Sequence, residues 1–290
     1  MKKKIAAVIL IVVLAVGLGA GYWYYNNSKE NEKPTTTTQA ANGEPVTVPA
    51  EYNEYYQKNN DFVGWIKIDE TPVDYPVVQT DDNEYYLTHN FDKEYEGRGC
   101  IYMDCDSSAT LEYTNTVIYG HNWLDDTVFS PLVEYSDIDF YKEHPIVEYD
   151  TRTEMHKWKI FAVIITTASP SEDNGYVFNY IYPNVGGANF EGFMQKINKR
   201  TLFNTGVDVN SSDKILTLST CTREVDTKDY RADCRIVILA RMVRDGESAT
   251  VDVSKVQKNP NPKYPQIWYD LKGLENPYKD DEKWYPYVTE

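Results

Sequence analysis

The sequence predicts a mostly-β domain, either a barrel or a sandwich, that follows an N-terminal membrane-spanning helix. Three observations predict this arrangement: many short apolar runs bounded by turn residues, few segments with helical periodicity, and one long uncharged N-terminal stretch. With 290 residues the chain is long enough to enclose a hydrophobic core, as one large domain or two small ones.

The first 25 residues have the pattern of a membrane anchor. Lysines occupy positions 2–4, and residues 5–25 carry no charge and are mostly Ile, Val, Leu, Ala and Gly. A helix of this length, at about 1.5 Å per residue, spans the hydrocarbon core of a bilayer. Trp23 and its tyrosine neighbours end the segment, as in an interfacial aromatic belt. The clustered lysines predict a cytoplasmic stub at 1–4 and an extracellular chain beyond the span.

A cleaved signal peptide is the alternative for the same segment. Gly19-Ala20-Gly21 is a weak cleavage site, and the aromatic run that follows it argues against cleavage. Residues 26–48 are rich in Thr, Pro, Asn, Glu and Lys and have no apolar periodicity. This composition predicts a linker that holds the folded domain away from the membrane.

The folded domain is predicted over residues 49–243 and consists mainly of strands. Apolar runs bounded by turn residues predict strands at 64–68, 75–78, 100–103, 116–119, 146–149, 158–167, 215–219 and 236–242. Helical patterns cover residues 52–60, 130–144 and 189–200. The second of these helices is predicted to begin with Ser130 as its N-cap, directly before Pro131.

Residues 244–290 form a C-terminal extension whose role the sequence does not indicate. The segment contains the run Asn259-Pro260-Asn261-Pro262, several tyrosines and two tryptophans. Two interpretations stay open: a wrapping extension packed on the domain, or a partly disordered tail. The aromatic residues argue against complete disorder.

Charge and composition exclude some classes of partner. The net charge is −16, with 45 acidic and 29 basic residues, so nucleic-acid binding is not expected, because that function needs cations to displace phosphate counterions. The chain also contains 25 tyrosines, an enrichment that is interpreted as packing in a β-rich fold.

Two residues with reactive side chains follow predicted strands. Cys221 comes after the strand-like run 214–220, and His121 comes after the apolar run 117–119. A residue at a strand end is held by the scaffold while one side stays open, which suits a nucleophile. A catalytic thiol also needs a nearby base and donors for an oxyanion. By itself, however, a cysteine in this position is more often inert.

Arg235 opens the last predicted strand and is a candidate oxyanion donor. An arginine stays protonated and cannot be a base, but it can donate two hydrogen bonds to a developing oxyanion. Arg223 and Arg231 are nearby alternatives. The remaining histidines, at positions 89, 144 and 156, are interpreted as surface or capping residues.

The other cysteines leave two possibilities open. Cys100, Cys105 and Cys234 are either inert thiols, or one of them forms a bridge to Cys221 that works as a redox switch. The spacing of cysteines and histidines fits no zinc motif, so neither a metal nor a cofactor is expected.

Several ordered motifs resemble those of the sortase family. The run 217–221, followed by Arg235 and Ile-Val-Ile, resembles the sortase active-site signature, and residues 119–121 resemble the segment that carries the sortase histidine. Further segments that are similar to class B sortases are residues 61–66, 74–79, 83–87, 102–104, 129–132 and 139–141. The resemblance covers residues 52–243.

This resemblance implies a sortase-type β-barrel with peripheral helices and a set of site residues. Cys221 matches the nucleophile and His121 the general acid/base. Arg235 matches the arginine that stabilises the oxyanion, with Arg231 as the second choice. Expected substrate-groove residues are Thr220, Ser219 and Asn122.

The resemblance also implies a function at the cell surface of a Gram-positive bacterium. Class B enzymes cleave secreted proteins at the Thr carbonyl of a C-terminal sorting signal of the Asn-Pro-x-Thr type. They form a thioacyl-enzyme and transfer the protein to an amine of the peptidoglycan cross-bridge. The expected location is the cell membrane, with a single span at residues 5–25. Alternatives are a pilin polymerase that uses a pilin lysine, a cysteine peptidase that uses water, and a non-catalytic domain that binds sorting signals.

Overall fold

A computed structural model describes residues 36–39, 45–123 and 125–287 of this chain. The predicted cytoplasmic stub and the predicted span at 5–25 lie outside these described residues. Among the residues within them, no helix is both long enough and apolar enough to cross a membrane.

The centre of the molecule is a closed barrel of eight strands. In chain order these are β3 (Phe62–Lys67), β4 (Asp74–Val78), β5 (Ile101–Met103), β6 (Asn115–Tyr119), β7 (Ile146–Thr151), β8 (Lys157–Thr167), β10 (Ile215–Cys221) and β11 (Cys234–Met242). Around the barrel the order is β10-β11-β8-β7-β3-β4-β5-β6, and β6 closes the ring against β10. Only β4–β5 and β6–β10 pair in parallel. The barrel prediction is confirmed, and the sandwich alternative is wrong.

Strand β11 is buried on both faces over residues 236–240, which explains why this stretch is apolar at every position. Ile236 and Ile238 belong to the core inside the barrel, whereas Val237 and Leu239 belong to a second core outside it. Because neighbouring side chains of a strand point to opposite faces, a strand covered on both sides needs apolar residues at every position. The outer core is covered by helix α3 (Phe190–Arg200).

The other α-helices are short and lie at the periphery: α1 (Glu51–Lys58), α2 (Ile138–Glu143) and α4 (Gln266–Lys272). The single helix predicted over residues 130–144 is wrong, because the chain forms a 3-10 helix at Ser130–Ser136 and then α2. Asp137 separates them with extended backbone and accepts a hydrogen bond from the Asp139 amide, which caps α2. Ser130 caps no helix; its hydroxyl accepts from the Trp123 amide.

Two small antiparallel sheets lie outside the barrel. Strands β1 (Thr36–Gln39) and β2 (Pro45–Val48) pair within the segment predicted as a linker, where Thr and Val favour extended backbone. Strands β9 (Phe203–Asn204) and β12 (Gln257–Lys258) join the C-terminal extension to the domain. As far as residue 287, the extension is therefore packed on the domain, in agreement with the first of its two interpretations.

Glu247, near the start of the extension, neutralises two buried cations. The Arg241 side chain is 1% exposed and donates through Nη1 and Nη2 to the two carboxylate oxygens of Glu247, at 2.5 and 2.7 Å. Lys159 donates to the same carboxylate at 2.5 Å. Hydrogen bonding from Arg241, followed by that from Lys159, lowers the pKa of Glu247 far below its ordinary range. The charge of this carboxylate therefore stabilises the folded chain.

Replacing Glu247 by glutamine is expected to lower the free energy of unfolding at pH 7 by about 3 kcal/mol. The change preserves size but leaves Arg241 with Asp208 as its remaining carboxylate partner, and breaking a buried ion pair from one side costs this order of energy. The pKa of Glu247 is lowered on folding, so its contribution is complete above the ordinary Glu pKa of about 4.3 and decreases progressively as the pH falls from there towards the lowered pKa of the folded chain. Urea denaturation from pH 3 to 8 measures the difference.

Glu275→Gln is the matched control, since Glu275 is 80% exposed and pairs with an exposed lysine. Its stability is expected to equal that of the wild type. A Glu247→Gln variant as stable as the wild type at pH 7, or a difference that does not shrink between pH 5 and pH 3, would contradict the prediction.

Candidate active site

The pairing of β10 with its two neighbours brings three polar side chains to one end of the barrel. Ser219 pairs with Tyr119 in the parallel ladder, and the chain reaches Cys221 and His121 two residues beyond this pair. In the antiparallel ladder, Cys221 lies directly opposite Arg235. Side chains of directly opposed residues share a face of the sheet. The barrel register therefore juxtaposes a thiol, an imidazole and a guanidinium.

A cavity of about 760 Å³ opens at this end of the barrel and contains all three side chains in its wall. Its remaining wall is mostly apolar or aromatic and includes Leu87, Tyr102, Tyr119, Phe178 and Tyr180. A concave, mainly apolar site with a few convergent polar groups is typical of ligand binding.

Cys221 differs from the other three cysteines in its surroundings. All four are free thiols, so none forms the bridge considered as a redox switch. Cys100 and Cys234 are buried, and burial raises the pKa of each thiol to about 12, which keeps both protonated. Cys105 is partly exposed but lies outside the cavity. Cys221 is the cysteine that combines partial exposure with a place in the cavity wall.

His121 is held by contacts on both sides of its ring. Its Nε2 lies 2.9 Å from the Leu87 carbonyl oxygen, and the edge of its ring packs against Trp123 with centroids 5.7 Å apart. A carbonyl oxygen can only accept, so Nε2 carries a proton and Nδ1 is the nitrogen that can exchange one. The preceding Gly120 allows this segment to lie against Phe129, whose ring would be 2.8 Å from an added Cβ.

Arg235, and not Arg231, reaches the cavity. The Arg235 guanidinium is partly buried and donates to Asp233 Oδ1 at 2.7 Å and to the Cys234 carbonyl at 3.2 Å. Burial lowers the pKa of Arg235, but its electrostatic interactions with Cys221 and Asp233 outweigh this effect, so the pKa is raised and the cation persists. Arg231 is exposed on the β10–β11 connection and lines a separate surface depression.

The expected groove residues make contacts within the protein. The Thr220 hydroxyl donates to the Gly120 carbonyl at 2.7 Å, and Asn122 Nδ2 donates to the Cys221 carbonyl at 2.9 Å. The Ser219 hydroxyl lies 2.9 Å from that of Tyr180. These bonds fix the positions of His121 and Cys221 relative to one another. Ser219 and Thr220 line the cavity and Asn122 does not, and their contact with substrate stays a prediction.

Several residues of the cavity wall could not be identified from sequence patterns. Tyr102 and Tyr180 are buried tyrosines of the wall, and Tyr285 enters it from the C-terminal extension. The tyrosine enrichment is the available signal, but composition favours sheet packing as its interpretation. Leu87 lies in a segment that resembles class B sortases, but the resemblance does not reveal that its carbonyl holds the His121 ring.

Comparison with known proteins identifies the class of enzyme to which this barrel and cavity belong. Residues 66–243 match the sortase domain family. The chain therefore belongs to the sortase family, a family of cysteine transpeptidases. The relatives are class B enzymes: sortase B of Listeria monocytogenes is 36% identical over 206 residues, which cover 71% of this chain and 78% of that protein.

Solved structures agree with this assignment to class B. The Staphylococcus aureus sortase B–substrate complex has a TM-score of 0.58 at 30% identity, covering 67% of this chain and 85% of that one. Sortase B of Clostridium perfringens has a TM-score of 0.55 at 31% identity, covering 66% of this chain and 99% of that one. The predicted resemblance to class B sortases is confirmed.

Proposed function

We propose that this chain cleaves the C-terminal sorting signal of secreted proteins at a Thr carbonyl and transfers the protein to an amine of the peptidoglycan cross-bridge. The observation that carries the proposal is the shared cavity that holds Cys221, His121 and Arg235 at the rim of the barrel. Its volume of about 760 Å³ suits a short peptide segment.

In the first half of the reaction, Cys221 acts as the nucleophile. His121 takes the thiol proton, and the thiolate attacks the Thr carbonyl carbon, so that a C–S bond forms and the carbonyl oxygen becomes an oxyanion. Arg235 donates hydrogen bonds to this oxyanion. Collapse of the intermediate breaks the C–N bond, and the imidazolium gives its proton to the leaving amine. The product is a thioacyl-enzyme with neutral His121.

In the second half, an amine replaces the thiol. The incoming amine attacks the thioester carbonyl, His121 accepts the proton that the amine loses, and the Cys221 thiolate leaves. Because Nε2 is occupied by the Leu87 carbonyl, Nδ1 carries the mobile proton in both halves. A solved sortase B is complexed with triglycine, a peptide with a free amine, which supports an amine acceptor of this kind here.

The proposed location is the outer face of the cell membrane. The uncharged segment 5–25 and the lysines before it support a single span with the N-terminus in the cytoplasm. Such an anchor would place the cavity close to substrates that are still held at the membrane by a hydrophobic C-terminal tail.

The test is a transfer assay with the full-length chain in detergent, a library of Asn-Pro-x-Thr peptides and three acceptor conditions: triglycine, a lysine amide, or no amine. A ligated product that forms with triglycine is the expected result. Ligation with the lysine amide alone would indicate a pilin polymerase, and equal cleavage without amine would indicate a peptidase. Peptide binding without cleavage in every condition would indicate a non-catalytic domain.

A further inference from the structure

The end of the C-terminal extension is anchored on the outer core by Trp284. Its side chain is 7% exposed and packs against the rings of Phe178 and Phe193, with centroids 5.9 and 5.6 Å away. The space for this ring exists because residue 192 is a glycine, where an added Cβ would lie 2.5 Å from the indole. This anchor lies outside residues 66–243, which match the family.

The same part of the extension holds the connection between β8 and α3, residues 168–189, which we call the wall loop. The Tyr176 hydroxyl donates to the Trp284 carbonyl at 2.9 Å. The Tyr287 amide donates to Asn189 Oδ1 at 2.7 Å, and Asn189 Nδ2 donates back to the Tyr287 carbonyl at 3.2 Å. The extension is therefore bonded to the wall loop both in the middle of the loop and at its C-terminal end.

The wall loop forms one side of the cavity that contains Cys221. Val177, Phe178 and Ile181 line it, and the Ile181 side chain is 39% exposed. Tyr285, the neighbour of the buried Trp284, lines the same cavity and is 67% exposed. Its ring meets the Tyr176 ring edge-on at 5.8 Å, which orients it along the wall loop.

We infer that Tyr285 is a specificity-determining residue that packs against an apolar side chain of the peptide substrate, and that Trp284 is the positioning residue that holds it there. An exposed aromatic ring beside apolar neighbours contributes strongly to binding free energy when a ligand covers it, because the ring buries a large apolar face at little entropic cost. The inference rests on the proposed function, because the peptide is the ligand that this reaction brings to the cavity.

The test compares steady-state kinetics of Tyr285→Ala and Tyr287→Ala in the full-length chain, with a sorting-signal peptide and triglycine. Both tyrosines are exposed and lie on the same strip of extension, but Tyr287 does not line the cavity. Tyr285→Ala is expected to raise the KM for the peptide about tenfold and to leave kcat within about twofold of the wild type. This result is expected because the lost contact stabilises the bound substrate and the transition state equally. Tyr287→Ala, which keeps the backbone bonds to Asn189, is expected to match the wild type.

Tyr285→Phe retains the aromatic ring that is expected to contact the peptide. This variant is therefore expected to have the wild-type KM. Neither Trp284 nor Gly192 lines the cavity, but Trp284→Ala and Gly192→Ala both displace the anchor, so each is expected to raise KM as Tyr285→Ala does. An active wild type with an unchanged KM for Tyr285→Ala would overturn this inference alone. A wild type that forms no thioacyl-enzyme would overturn the proposed function and this inference with it.

Discussion

Cys221→Ala is expected to abolish formation of the thioacyl-enzyme and to lower transfer by at least about four orders of magnitude, because removal of a covalent nucleophile removes the reaction path itself. The partly exposed thiol makes little contribution to the core, so the variant is expected to unfold at the wild-type denaturant concentration. Intact-protein mass spectrometry after incubation with peptide measures the acyl adduct directly. Product analysis with triglycine measures transfer.

Cys105→Ala is the matched control for this substitution. Cys105 is also a partly exposed free thiol, but it lies outside the cavity, and burial and nearby acidic groups raise the pKa of its thiol. Its variant is expected to form the adduct and the product at the wild-type rate. Adduct formation by Cys221→Ala and its loss in Cys105→Ala would reverse the assignment of the nucleophile.

Arg235→Ala is expected to lower kcat by about 10² to 10³, the usual cost of removing an oxyanion donor. Arg235 lies opposite Cys221 in the sheet and lines the same cavity, where the proposed oxyanion would develop, and interactions with Cys221 and Asp233 raise the pKa of its guanidinium. Arg235→Lys keeps the charge but loses the paired N–H donors, so an intermediate rate is expected. A single-turnover assay sampled by rapid quench measures the rate of acylation without a contribution from transfer to the amine.

Arg231→Ala is the control for the arginine assignment. Arg231 is exposed and lines a depression apart from the cavity, so its replacement is expected to leave acylation within about twofold of the wild type. Loss of acylation in Arg231→Ala together with normal acylation in Arg235→Ala would transfer the oxyanion role to Arg231. Thermal unfolding of both variants tests whether a difference in their acylation rates is caused by loss of the fold.

The sequence predicted the barrel strands well because their signal is local. Residues 160–165 of β8 and 236–240 of β11 are apolar at every position, and they are buried on both faces in the structure. Local sequence patterns did not predict the structure where a single side chain determines the backbone conformation. Asp137 interrupts the predicted helix at 130–144 by capping a new one, and the helical periodicity on either side does not reveal this.

The role of Arg235 could be assigned only in part from the sequence. Its position before Ile-Val-Ile favours Arg235 as the oxyanion-stabilising arginine, but spacing alone does not exclude Arg231 from this role. The separation comes from register: Arg235 pairs with Cys221 in the ladder, while Arg231 lies on the connection between the two strands. Register depends on hydrogen bonds between distant parts of the chain, which no local pattern encodes.

By itself, the sequence determined that Cys221 and His121 follow predicted strands and that the chain resembles class B sortases. Only the tertiary structure decided that these strands are neighbours in parallel, that Arg235 lies opposite Cys221 in the sheet, and that Tyr285 enters the same cavity. The physical reason is that burial in a strand is encoded by its own residues, whereas a shared cavity depends on barrel closure. Tyr285 adjoins Trp284, whose indole packs against Gly192, a residue far away in the chain.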